Sequence, residues 1–177
     1  MELVQLIIFS GLPGTGKSTV AEMIGRELGI PVFAKDWLVA TLLRCSSAQN
    51  NRSAETLGYA GYELLTTLAQ RQLSLGQSAI LDSVATFEDI RNRWRDLAGV
   101  YCAQWRVIEC ICSDSVIHQT RLNARHRKIP NWPELTWADV ERVRAHYLPW
   151  SDERLILDAA DSLENSIAAA LAYLRDS

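Results

Sequence analysis

Apolar residues run without interruption from Leu6 to Phe9, bounded by Gln5 and Ser10 and closed by Gly11, the pattern of a strand buried on both faces in a parallel sheet. After a glycine-rich turn the period changes. Val20, Met23, Ile24 and Leu28 recur at helical spacing, predicting a helix from Lys17 to Leu28 with Gly29 as its stop. Pro31 to Lys35 reads as a second short strand, and Asp36 stands where the next helix, Trp37 to Arg44, begins. Leu57, Ala60, Leu64, Leu65 and Leu68 then place an amphipathic helix over Ala54 to Leu75, ended by Gly76.

The alternation continues to the end of the chain. Ser78 to Leu81 is a short strand ending at Asp82, Phe87 to Leu97 a charged helix, and Gln104 to Cys112 another strand. Val116 to Lys128 reads as a helix broken by Pro130 and Pro133, and Trp137 to Tyr147 as a further helix. Arg154 to Leu157 is the last strand; Leu163 to Leu174 closes the chain with Leu163, Ile167, Leu171 and Leu174 on one stripe. Strands separated by helices predict a three-layer α/β fold with a mainly parallel sheet and right-handed crossovers, in one domain over residues 1–177. The polar stretches Cys45 to Ser53 and Arg127 to Pro133 are the expected mobile loops.

Composition narrows the function classes. With 177 residues, 48% hydrophobic and 22% charged, the chain is neither collagen-like nor disordered. A net charge of −3 gives no electrostatic argument for binding long nucleic acid. The Leu6 to Phe9 run is too short and wrongly flanked for a signal peptide, and no stretch approaches the ~20 apolar residues of a membrane span, so a cytoplasmic location is expected. Cys45, Cys102, Cys110 and Cys112 then read as reduced thiols; Cys110 and Cys112 share one strand face, but no second pair completes a metal site.

Gly11, Leu12, Pro13, Gly14, Thr15, Gly16, Lys17 and Ser18 match GxxxxGK[ST], a pattern that arises by chance about once per thousand chains of this composition. A buried strand feeds this loop and a helix leaves it, so backbone N–H groups and the positive helix end converge where a triphosphate fits. Lys17, one of only three lysines, is long enough to reach the β and γ phosphates, and the Ser18 hydroxyl would sit on Mg²⁺. Asp82, ending an apolar strand, is either a second Mg²⁺ ligand or a strand-end cap. Asp36, at the carboxyl end of the next strand, either accepts a proton from an acceptor hydroxyl or caps its helix. Arg121, Arg125 and Lys128 lie at i, i+4 and i+7; with Arg127 they form either a phosphate-neutralising lid or a solvated helix end. Arg91, Arg93 and Arg95 around Trp94 read as a solvated face, with an acceptor patch as the alternative; Trp37 reads as core or as pocket wall. His118, His126 and His146 form no cluster and are expected at the surface or in the core.

The loop GLPGTGKST, the segment AKDW with Asp36, the segment AILDSVAT with Asp82 and the run ECICSDSVIHQTRLNAR together resemble the small P-loop kinases. These are also grouped as AAA-type ATP-binding proteins and are related to polynucleotide kinase, zeta toxin and the nucleoside-monophosphate and shikimate kinases. The resemblance implies a five-stranded sheet of order 2-3-1-4-5, ATP with Mg²⁺ as donor, a lid at about residues 117–135, and transfer of the γ phosphate to a hydroxyl. It assigns Gly11, Pro13, Gly14, Thr15, Gly16, Lys17, Ser18 and Thr19 to the nucleotide and Ser18 and Asp82 to the metal. Lys17, Asp36, Arg121 and Arg125 are assigned to the transfer. Polynucleotide-kinase-like members often carry arginine three places after the aspartate; this chain has Val39, which points to a small-molecule acceptor. The alternatives are a partner-regulated nucleotide switch and a polynucleotide 5′-hydroxyl kinase.

Overall fold

The computed structural model describes residues 3–46, 54–130 and 132–176. The elements are β1 (Gln5–Ser10), α1 (Lys17–Leu28), β2 (Val32–Ala34), α2 (Lys35–Ser46), α3 (Ala54–Ser74), β3 (Ala79–Asp82), α4 (Glu88–Val100), β4 (Gln104–Ile111), α5 (Ser115–Ala124), α6 (Trp137–Arg144), β5 (Leu155–Asp158) and α7 (Leu163–Arg175). The five strands form one sheet of order β2-β3-β1-β4-β5, and every pairing is parallel.

Side-chain alternation along β1 splits the core into two layers. Leu6 and Ile8 face α3 and α4, where Tyr62, Leu65, Ile90 and Trp94 are fully buried. Ile7 and Phe9 face α1 and α7, packing on Val20, Ile24, Ala170 and Leu174. Because the sheet is parallel, the carboxyl ends come into line: Asp82 is in register with Phe9 and with Ala34, and Glu109 with Ser10. Everything that leaves those ends therefore meets along one edge.

Three readings change. The second helix begins at Lys35 and runs on to Ser46, so Asp36 lies within its first turn instead of capping it, and the expected loop from Cys45 starts as helix; residues 47–53 lie outside those described. The arginine-rich face of α4 is not solvated around Trp94, which is 0% exposed and donates from Nε1 to Thr66 Oγ1 at 2.8 Å. Arg91 is 3% exposed and its guanidinium donates to the carbonyls of Ala85, Leu148 and Pro149, while Arg93 and Arg95 pair with Glu63 and Asp152. Leu163 is exposed, since its stripe meets the core only from Ile167 onward.

One buried polar knot ties the segment after α6 to the sheet. Tyr147 donates its hydroxyl to Glu109 Oε1 at 2.8 Å, Trp150 Nε1 donates to Ser10 Oγ at 3.0 Å, and Arg154 Nε donates to Glu109 Oε2 at 2.6 Å. Glu109 is 6% exposed, so its charge depends on Arg154. Replacing Arg154 with leucine should lower the unfolding free energy by about 3 kcal/mol, because the carboxylate stays buried without its partner. Adding Glu109→Gln should restore part of the loss. Urea titrations of the parent protein and the two variants check this, and a loss below about 0.5 kcal/mol for the single variant would contradict it.

Candidate functional site

The turn between β1 and α1 is shaped by close approach. Gly11 has φ +134°, and a Cβ there would collide with the Cys110 carbonyl oxygen of the neighbouring strand. Thr15 Oγ1 donates to the Leu12 carbonyl at 2.8 Å, closing the loop on itself. Beneath it lies His118, 1% exposed, with Nε2 at 2.8 Å from the Pro13 carbonyl; a proton on Nε2 makes that contact a hydrogen bond. The His118 ring lies 3.2 Å from where a Gly14 Cβ would stand, so ring and loop are packed together. Gly16, at φ 82°, precedes α1 without supplying a side-chain cap, and the first turn holds no acidic residue. The amides of Lys17, Ser18 and Thr19 therefore open the helix without intrahelical acceptors, an electropositive seat for an anion.

The charges placed around that seat are buried. Lys17 is 5% exposed; burial lowers its ammonium to about 8, a fall tempered by Asp82 and deepened by Arg127 and Arg125. Asp82 is 5% exposed; burial raises its carboxyl, opposed by Lys17, by a hydrogen bond from Ser18 and by Arg125. Its Oδ1 has no hydrogen-bond partner among the described residues. Burial also lowers the Arg125 guanidinium, and that of Arg127 to about 10, partly offset by Glu134. Arg127 Nη2 lies 3.5 Å from Ser18 Oγ, and its Nη1 pairs with Asp36. A single side chain thus joins the phosphate-loop helix to the carboxylate at the end of β2.

The arginine stripe is not a stripe. Asp114 caps α5 by accepting from the amides of Val116 and Ile117, but the helix ends at Ala124 and Arg125 is extended, with φ −77° and ψ 125°. The run from Arg125 to Lys128 offers no helix stop, yet continued helix would set Arg121 against Arg125 and withdraw Arg127 from Asp36. Unwinding brings Arg125 and Arg127 to the loop. Arg121 stays exposed, with its charge acting on Asp158 and Cys112, and Lys128 is exposed. The stretch after α5 is also anchored by Ile129, only 9% exposed.

Of the remaining candidates, Thr19 is exposed on α1, and Trp37 is 47% exposed beside Asp36, which removes its core reading. His126 and His146 are exposed. The support role of His118 escaped sequence reading, although its spacing to Leu122 and Arg125 places all three on one helical face. All four cysteines are free. Among the described residues no group of three or more His, Cys, Asp or Glu side chains forms a metal cluster, and no helix is long and apolar enough to cross a membrane. A hollow of about 1090 Å³ lies at the amino ends of the strands around Gln5, Pro31 and Gln104, away from every motif residue. A smaller cleft of about 330 Å³ opens beside the loop, between Gly11, Glu109, His118 and Tyr147.

The burial of Lys17 has a measurable sign. In the unfolded chain the ammonium keeps its proton up to about 10.5, in the fold only to about 8, so between these values the unfolded state binds more protons. Stability conferred through this residue should therefore rise with pH across that window. Subtracting the denaturation free energies of Lys17→Met from those of the parent protein, pH by pH, should give an upward slope from pH 8 to 10.5. Parallel curves would contradict the buried ammonium.

No protein of curated function matches the sequence. Solved structures give the fold. A kinase candidate from Chloroflexus aurantiacus is 22% identical with a TM-score of 0.75, covering 98% of this chain and 100% of its own. A gluconokinase from Sinorhizobium meliloti is 16% identical with a TM-score of 0.72, covering 98% and 93% respectively. The APS kinase of Mycobacterium tuberculosis, in complex with AMPPNP and APS, is 19% identical with a TM-score of 0.69, covering 99% and 100%. The family model described as AAA domain matches residues 6–149, and with that match over most of its length the chain belongs to this AAA family and has the fold of the small P-loop kinases.

Proposed function

We propose that the protein transfers the γ phosphate of ATP to the hydroxyl of a small molecule. The observation that carries this reading is the Arg127 bridge, which spans Ser18 at the phosphate loop and Asp36 at the end of β2. A phosphate seat alone would serve a switch equally well. A carboxylate held one arginine away from it, at the carboxyl end of the same sheet, is what phosphoryl transfer to a hydroxyl requires.

Gly11, Pro13, Gly14, Thr15, Gly16 and Thr19 shape the seat, the α1 amides and Lys17 hold the phosphates, and Arg125 and Arg127 neutralise the transferring group. Arg127 orients the Asp36 carboxylate, which accepts the acceptor's proton in this reading. As the acceptor oxygen bonds to the γ phosphorus, the bond from that phosphorus to the β–γ bridging oxygen breaks, and the acceptor's proton passes to the Asp36 carboxylate. Arg121 lies outside the group around Lys17 and Asp82 and takes no part in this step. Residues from about 117 to 135 form the lid in this reading, with His118 fixing its base against the loop.

Mg²⁺ suits the donor set: Ser18 offers a hydroxyl oxygen, and Asp82 a buried carboxylate oxygen without another partner. When bound, the ion neutralises phosphate charge. The net charge of −3 and the burial of Val39 at 5% exposure favour a small acceptor over a nucleic-acid end.

ADP release measured against a panel of hydroxyl compounds tests the reading: stimulation by a small acceptor supports transfer, whereas stimulation only by a protein supports a switch. Asp36→Asn should lower acceptor-dependent turnover by ~10² to 10⁴ while calorimetric ATP affinity is kept. Undiminished turnover would remove Asp36 from the chemistry.

A further inference from the structure

Lys35 opens α2 at the carboxyl end of β2, one residue before Asp36, and its ammonium lies 4.1 Å from the centroid of the Tyr62 ring. The ring is a fixed platform. Tyr62 is 1% exposed, its hydroxyl accepts from the Thr86 amide at 3.4 Å, and it meets the Phe87 ring edge-on at a centroid distance of 5.8 Å. Room for the lysine stem comes from Gly61 on α3. A Cβ there would stand 3.2 Å from Lys35 Cγ and 2.5 Å from Val39 Cγ2.

A cation over an aromatic face uses one direction of its charge and leaves N–H donors for another partner. Among the described residues Lys35 forms no ion pair; the carboxylate next to it in sequence, Asp36, is committed to Arg127, and Glu63, next to Tyr62 in sequence, to Arg93. Val39, one turn further on the same face of α2, supplies no charge. Phe87, whose ring meets Tyr62, is itself 47% exposed, so this platform opens to solvent on that side.

We infer that Lys35 anchors the acceptor and that the acceptor is an anionic hydroxy compound, bearing a carboxylate or a phosphate close to the hydroxyl delivered to Asp36. The inference rests on the phosphotransferase reading of the same site. Lys35 and Asp36 are consecutive residues at the start of α2, so a small molecule seated at the end of β2 can carry both the anion and the hydroxyl. The anion supplies the counter-charge that the fold withholds from the ammonium.

The test pairs acids with their neutral counterparts as probes of ADP release with Mg·ATP: gluconate against glucose, and glycerate and glycerol 3-phosphate against glycerol. The parent protein should prefer the anionic members by about tenfold or more in kcat/KM. Lys35→Met should raise KM for the anionic members about 10- to 100-fold with a much smaller effect on kcat, and Lys35→Arg should recover part of the loss. The carboxylates and the phosphate ester distinguish which anion fits. Neutral members used equally well by the parent protein, or an equal loss for both members of each pair in Lys35→Met, would overturn the inference. A thermal upshift of Lys35→Met with ATP shows that it is folded; if it does not fold, the selectivity of the parent protein decides.

If no probe stimulates ADP release although ATP binds, the phosphotransferase reading fails by itself. The anchor is then read from binding, with AMPPNP filling the phosphate loop. Gluconate or glycerol 3-phosphate should raise the melting temperature of the parent protein more than that of Lys35→Arg, with glucose and glycerol inert. No shift with either acid would overturn the anchor as well.

Discussion

The structure depends on an unfavourable arrangement: an ammonium and a carboxylate buried side by side, below an uncapped helix end and two half-buried guanidinium groups. Lys17 and Asp82 each lose hydration that the other only partly repays, and burial drives both toward their neutral forms. Among the described residues nothing hydrogen-bonds Asp82 Oδ1, and no side chain caps the first turn of α1. A polyanion with a divalent cation would satisfy all of these groups together. The sheet keeps these groups together by holding β1, β3 and β4 in parallel register.

That register explains how distant segments converge. Asp36, Asp82 and Glu109 leave three different strands, yet all stand at the same end of one sheet. The loop is then braced from below by His118 and joined across its mouth by Arg127. The two arginines that reach it come from a segment whose regular structure ends just before them, so their placement reflects tertiary electrostatics and not helix periodicity.

Much of this was legible from the chain. The unbroken apolar run of β1 and the spacing from Gly11 to Ser18 disclosed the seat, because a buried strand and a phosphate loop are local patterns. Asp36 and Asp82 were legible because carboxyl ends of parallel strands are where such folds collect chemistry. Their roles remain proposals. What was not legible arose from contacts over long separations. Unwinding at Arg125 depends on Asp82 and Asp36, far back in the sequence. Burial of Trp94 and Arg91 depends on Thr66 and on the carbonyls of Leu148 and Pro149. His118 looked solitary because its partner is a backbone carbonyl, which no side-chain pattern records.

The central claim is that the turn from Gly11 to Ser18 seats a nucleoside triphosphate through Lys17. Calorimetric titration of Mg·AMPPNP into the parent protein and into Lys17→Met tests it most directly. The account predicts a single site in the parent protein, with affinity falling at least about tenfold in the variant. An absence of binding to the parent protein at millimolar nucleotide, or equal affinity for both proteins, would contradict it.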